Sequence, residues 1–212
     1  MLIRLAGGRI VDPANKRDGV GDLWIRGDRI IAPPQGETPD AVYDVSGKIV
    51  MAGAIDIHSH IASGGVNTAR LLLPENHRAH VPRPAATPLS TAGWSTFETG
   101  CRYAMMGFTT VIEPAVPAHQ ALHSHLELAD VPIIDKGILT VLGDDDFLLS
   151  MLREGANHTA IADYVGSMLA ATKAVGLKAV NPGGSVAFQN NARTFDLDDV
   201  VPFYGVTSRR II

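Results

Sequence analysis

The sequence has one cysteine, no excess of positive charge and no long apolar run, and each shortage excludes a class of protein. Cys101 stands alone among 212 residues, so no intramolecular disulfide forms and a reducing cytoplasm is the simplest compartment. The net charge of -4 argues against a general nucleic-acid binder, which carries a basic face. No apolar stretch approaches the roughly 20 residues that span a bilayer. Met1 to Gly8 lack the apolar core and cleavage site of a secretory signal. There is no internal repeat, no low-complexity segment and no GxGxxG or Walker lysine beside Gly183-Gly184. What remains is an ordinary globular composition, 46% hydrophobic and 19% charged, with apolar material for one sizeable core.

The first fifty residues read as short strands and turns. Candidate strands are Leu2–Leu5, Asp22–Arg26, Arg29–Ile31, Ala41–Val45 and Lys48–Met51, separated by turn-prone stretches such as Asp12-Pro13-Ala14-Asn15 and Gly27-Asp28. After Met51 the pattern changes to strand and helix in alternation. Strands are expected at Ala54–His60, Phe108–Glu113, within Ile133–Leu142 and at Leu177–Asn181. Helices are expected at Ser95–Met106, Pro117–Ala129, Asp144–Glu154 and His158–Val175, with Ser95 and Glu98 forming a capping box. Ser63–Ser90 reads as a long irregular insertion. Such alternation implies parallel strands with crossover helices. The fold class is therefore α/β: a small β-sandwich-like domain over residues 1–51, then a partial (β/α)8 TIM-like barrel over residues 52–212. A whole barrel takes roughly 250 residues, so these four strands represent its N-terminal half and the chain is expected to be a fragment of a longer protein.

Chemistry concentrates in Asp56-Ile57-His58-Ser59-His60. On a strand of period two, Asp56, His58 and His60 share one face and Ile55 and Ile57 the other. The isoleucines would enter a core while the two imidazoles, preferred ligands of zinc, point into a shared pocket. The position is the carboxyl end of a strand, where barrel enzymes place their sites. Lys178 ends the fourth strand among apolar neighbours. A buried amine loses charge readily and then reacts with carbon dioxide to form a bridging carbamate. The local sequence alone favours the alternative, a lysine whose stem carries its head to solvent.

The other candidates carry less. His123 and His125 lie two apart on a helix and point in different directions, so they read as a solvated face. His77, His80, His119 and His158 have no spaced partner. Asp144-Asp145-Asp146 reads as a cap for the helix that follows. Asn76 and Arg78 lie in the insertion, where nothing local requires a substrate contact.

Taken together, GxxDxHxH on a first barrel strand and a lysine on the fourth resemble the amidohydrolase superfamily. The segments Val66–Arg78, Thr99–Gly107, Glu113-Pro114-Ala115 and Lys178–Gly184 resemble, more narrowly, the A subunits of formylmethanofuran dehydrogenase and of the related bacterial formyltransferase/hydrolase complex. The likeness runs along essentially the whole chain. It implies two zinc ions in a barrel, with His58 and His60 as first-strand ligands, Lys178 carboxylated by carbon dioxide as the bridge, and Asp56 beside them. It places the remaining ligands, and the catalytic acid–base aspartate, beyond residue 212. The implied reaction is metal-dependent hydrolysis of an N-formyl furan amine to formate and amine, or its reverse, in one-carbon metabolism. The implied partners are the other subunits of such a complex and the furan carrier, with no nucleic acid and no membrane span. A cyclic-amide hydrolase resembling dihydropyrimidinase or dihydroorotase is the alternative within the superfamily. A non-catalytic assembly module is the alternative outside it.

Overall fold

The first strand, expected over Leu2–Leu5, runs on through two consecutive glycines, Gly7 and Gly8. In the computed structural model, which describes residues 1–72 and 96–212, β1 (Leu2–Asp12) pairs antiparallel with β2 (Arg17–Arg26) and shifts register between Leu5 and Gly8. Gly7 adopts φ +77 at this bulge, and a Cβ there would stand 2.5 Å from Ser46 Oγ. Asp12 caps the Pro13–Asn15 turn through the Asn15 N–H. β3 (Arg29–Ile31) adds to β2 through the Gly27-Asp28 turn. β4 (Ala41–Asp44) and β5 (Ile49–Met51) pair parallel with successive halves of β1. The result is one five-stranded mixed sheet where sandwich-like layers were expected, because β1 is long enough to take two partners along one edge. Leu2 and Ile10 are buried in this unit while Val20, Ile30, Ile49 and Met51 stay exposed.

The chain divides into two compact units, Met1–Gly53 and Ala54–Ile212. The second is built on four parallel strands in sequential order: β6 (Ala54–Asp56), β7 (Phe108–Pro117), β8 (Asp135–Val141) and β9 (Gly176–Leu177). Helices α1 (Gly64–Leu72) and α2 (Thr96–Met105) lie between β6 and β7, and α3 (Ala121–Ala129) between β7 and β8. Helices α4 (Asp146–Arg153) and α5 (His158–Thr172) lie between β8 and β9. Sequential parallel order is what repeated βαβ units produce. Val111 and Val116 of β7, Ile138 of β8 and Ala121 and Leu128 of α3 form one buried cluster with Ile61 and Ala62. Leu148, Leu149 and Leu152 of α4 form a second with Val186, Val201 and Val206, flanked by Ile161, Val165 and Met168 of α5.

Several expected boundaries move. β6 stops at Asp56, four residues short of His60, and Ile55 and Ile57 are 63% and 68% exposed rather than buried. The Asp56 carboxylate captures the His58 N–H at 2.9 Å, which bends the chain out of the ladder. Helix α5 ends at Thr172 because Lys173 turns left-handed (φ 51), leaving Val175 outside it and exposed. β9 is two residues long, although the Lys178 N–H still donates to Thr140 O at 2.9 Å. Beyond it lie helix α6 (Gly184–Gln189), the hairpin β10 (Val200–Val201) and β11 (Val206–Thr207), and the short helix α7 (Ser208–Ile211).

The Asp144–Asp146 run does more than cap one helix. Asp145 caps α4 through the Leu148 N–H and also accepts the Tyr164 hydroxyl, while Asp146 accepts the Tyr204 hydroxyl. Asp144 instead caps α6, accepting from the N–H groups of Ser185 and Val186. Gly183-Gly184 opens that helix. Gly183 has φ +79, and a Cβ there would overlap the Val201 side chain.

Candidate metal centre

Side chains from the two outermost strands of the parallel sheet meet. Lys178 Nζ, just past β9, lies 3.0 Å from His58 Nδ1, just past β6. Across a flat four-stranded sheet those strands stand about 14 Å apart, three steps of about 4.8 Å. The contact therefore requires a sheet that curls so that side chains at its carboxyl end converge. The rings of His58 and His60 stand edge to face with centroids 5.0 Å apart. Lys178 is half-buried and both histidines are exposed. The structure thus brings His58, His60 and Lys178 into one cluster.

Asp56 holds the cluster from below. Its Oδ1 accepts the His58 N–H, and its Oδ2 accepts the Tyr103 hydroxyl of α2 at 2.9 Å. Ser59, itself buried, donates its hydroxyl to the Tyr103 oxygen at 2.9 Å. Burial raises the Tyr103 hydroxyl above the ordinary phenol range; the bond from Ser59 opposes this and the Asp56 carboxylate reinforces it. Tyr103 also packs edge to face on Phe108 at 5.1 Å. The segment bearing the histidines is thereby tied to α2 as well as to β7, where the Ser59 N–H reaches Ile112 O at 3.0 Å.

Glu113, in the middle of β7, is a site residue that the sequence did not single out. Its buried side chain faces His60 Nδ1 at 3.0 Å and accepts the N–H groups of Ile61 and Ala62. The one sequence signal is an acidic residue ending a β-branched run, Thr109-Thr110-Val111-Ile112, at the level where the neighbouring strand carries its histidines.

The remaining histidines stand elsewhere. His123 pairs with Glu127 at 3.0 Å along α3. His125 is not solvated as expected; its Nε2 reaches Thr172 O at 2.8 Å, tying α3 to the end of α5. His119 and His158 are exposed. His77, His80, Asn76, Arg78 and the Ser95 cap lie outside the described residues. Asn67, at the head of the insertion motif, bonds Glu127.

Two imidazoles and an amine suit a late divalent cation in donor type. They do not complete a shell: among the described residues no three His, Cys, Asp or Glu side chains are placed to hold one ion. His60 also borders an open cavity of about 620 Å³ with Ser63, Val66, Ala69, Pro117 and Gln120. Among the described residues no helix is long and apolar enough to cross a membrane.

Parallel strands in sequence order, with paired histidines after the first and a lysine after the fourth, define the class of fold. The amidohydrolase family model matches residues 41–211. The chain belongs to the amidohydrolase family. Over all 212 residues it is 46% identical to the A subunit of the formyltransferase/hydrolase complex Fhc of Methylorubrum extorquens. It is 36% identical over 208 residues to protein FwdA of Methanocaldococcus jannaschii. The crystal structure of the FhcABCD formyltransferase/hydrolase complex of Methylorubrum extorquens with methylofuran superposes on the whole chain with a TM-score of 0.90, over 38% of the matched chain. The chain spans 38% of the length of the first relative and 36% of the second.

Proposed function

We propose that residues 54–212 are the opening half of a (β/α)8 amidohydrolase barrel and carry part of a two-zinc centre that hydrolyses an N-formyl furan amine. The observation that carries this reading is the 3.0 Å contact of Lys178 Nζ with His58 Nδ1 across the sheet. A side chain reaching from one edge strand to the other supports an arc of barrel whose inward residues converge. In this reading His58 and His60 are ligands and Lys178 becomes the bridge.

An ammonium beside His58 Nδ1 occupies the electrostatic position of a cation and opposes metal entry. Loss of a proton and addition of carbon dioxide turns that amine into a carbamate. The cationic side chain becomes an anion with two oxygens, and two protons go to solvent, one freeing the amine and one leaving as the carbamate forms. When bound, the metal pair would supply a hydroxide nucleophile from water and polarise the formyl oxygen. The chain's own residues hold the geometry: Asp56 fixes the His58 backbone, and Tyr103 and Ser59 brace Asp56. The open cavity beside His60 has room for part of a small acyl-amine substrate.

The remaining ligands and the acid–base aspartate would come from residues this chain does not contain, so these 212 residues alone are inactive in this reading. The partners are other subunits of a formyltransferase/hydrolase-type or formylmethanofuran dehydrogenase-type complex, by likeness to the relatives at 46% and 36% identity. The test is to assay the full-length protein in its complex with an N-formyl furan carrier and with dihydropyrimidine. Formate release from the first is expected. Ring opening of the second with no formate from the first replaces the proposal with a cyclic-amide hydrolase.

A further inference from the structure

Among the described residues Glu113 is the one buried carboxyl group, with none of its surface exposed. It sits where β7 and β8 lose register, between Glu113 and Val116. Such an irregularity re-aims a side chain, and here the carboxyl turns toward the segment after His60. Oε2 accepts the N–H groups of Ile61 at 2.8 Å and Ala62 at 2.9 Å. Oε1 stands 3.0 Å from His60 Nδ1. The opposite side of His60 is open, since its side chain is 51% exposed and borders the cavity.

A neutral imidazole has one N–H and one lone pair, and the partner of one nitrogen decides the role of the other. A carboxylate oxygen only accepts. We infer that Glu113 is a positioning residue that fixes His60 as its Nδ1–H tautomer, which leaves Nε2 unprotonated and able to bind a metal ion. The same carboxyl locks the two following amides, so the ring is held at its nitrogen and through its backbone. The metal-binding half of this inference rests on His60 being a ligand, as proposed above; the tautomer does not.

Glutamine at this position separates charge and hydrogen bonding from shape. Its single carbonyl oxygen keeps the amides of Ile61 and Ala62. Its NH2 group then faces His60 Nδ1 and can only donate. His60 must answer as an acceptor at Nδ1, which moves its proton to Nε2 and removes the ligand lone pair.

The test is 15N NMR of histidine-labelled full-length protein stripped of metal, with the His60 signal identified by its loss in H60N, followed by zinc titration against a chelator. In the wild type the His60 proton is expected on Nδ1. In Glu113→Gln it is expected on Nε2, with zinc affinity lower by about 10–100-fold and an unchanged circular dichroism spectrum. A purely structural role would lower the melting temperature without moving the proton, and that result overturns the inference. A wild-type proton on Nε2 overturns it equally and needs no variant, so poor folding of Glu113→Gln does not shield it. If the wild type shows Nδ1–H yet takes no zinc, the tautomer assignment stands and the metal reading fails.

Discussion

Replacing Tyr103 with phenylalanine removes one oxygen and leaves the ring that packs on Phe108 in place. That oxygen serves two partners: it donates to Asp56 Oδ2 and accepts from the hydroxyl of buried Ser59, each at 2.9 Å. A hydrogen bond to a charged group contributes about 1.5–3 kcal/mol, and a buried hydroxyl left unpaired costs about 1–3 kcal/mol. Asp56 is half-buried and water replaces part of the first loss. The net cost of Tyr103→Phe is then about 2–4 kcal/mol, a fall of about 5–15 °C in melting temperature for a chain of this size. Thermal and urea unfolding followed by circular dichroism read it directly. The double variant with Ser59→Ala should cost little more than Tyr103→Phe alone, because the Ser59 hydroxyl has by then lost its acceptor; a coupling of about 1 kcal/mol is expected. A Tyr103→Phe melting curve within about 0.5 kcal/mol of wild type, or fully additive effects of the two substitutions, would refute the network as a brace for the histidine segment.

Two other predictions address the scaffold. Gly183→Ala places a Cβ against Val201 at a left-handed residue, so strain of about 1–2 kcal/mol joins an overpacking cost of about 1–3 kcal/mol. Gly27→Ala, also at positive φ but with open space around it, should show the strain alone, and equal losses in urea denaturation for the two variants would contradict the clash. The Tyr164 hydroxyl is pushed up to about 12 by burial and by the Asp145 carboxylate it bonds. Raised above the unfolded phenol value of about 10, it stabilises the fold fully below that pH. The contribution is lost as pH climbs toward about 12. Tyr164→Phe should therefore show a shallower alkaline loss of stability than wild type, and identical alkaline curves would count against the assignment.

The pairing of His58 with His60 was legible from their two-residue spacing, although the strand expected to carry them ends at Asp56 and the rings meet just beyond it. The positions of the parallel strands were legible because strand periodicity is local: β-branched runs alternate with helical ones. What escaped depends on partners far along the chain. The early end of β6 follows from Asp56 taking the His58 N–H, a side-chain choice that periodicity does not register. Lys178 read locally as a solvent-seeking lysine, and its contact lies 120 residues away. Glu113 meets residues 51 to 53 positions earlier and gave only the faint signal of an acid after a β-branched run. The aspartate triplet looked like one cap and serves four elements: α4, α5, α6 and the β10–β11 hairpin. The two-residue strands of the β10–β11 hairpin are too short to show any period.

The joint use of His58, His60 and Lys178 is tested most directly by metal and carbamate content in the full-length protein, wild type against Lys178→Met. Methionine keeps an unbranched stem and removes the amine. The expected wild type holds a pair of zinc ions and shows a carbamate carbon after growth with 13C-labelled bicarbonate; the variant loses the carbamate signal and at least one of the ions. A variant that keeps the full zinc complement, or a wild type with neither zinc nor carbamate, would contradict the shared metal centre.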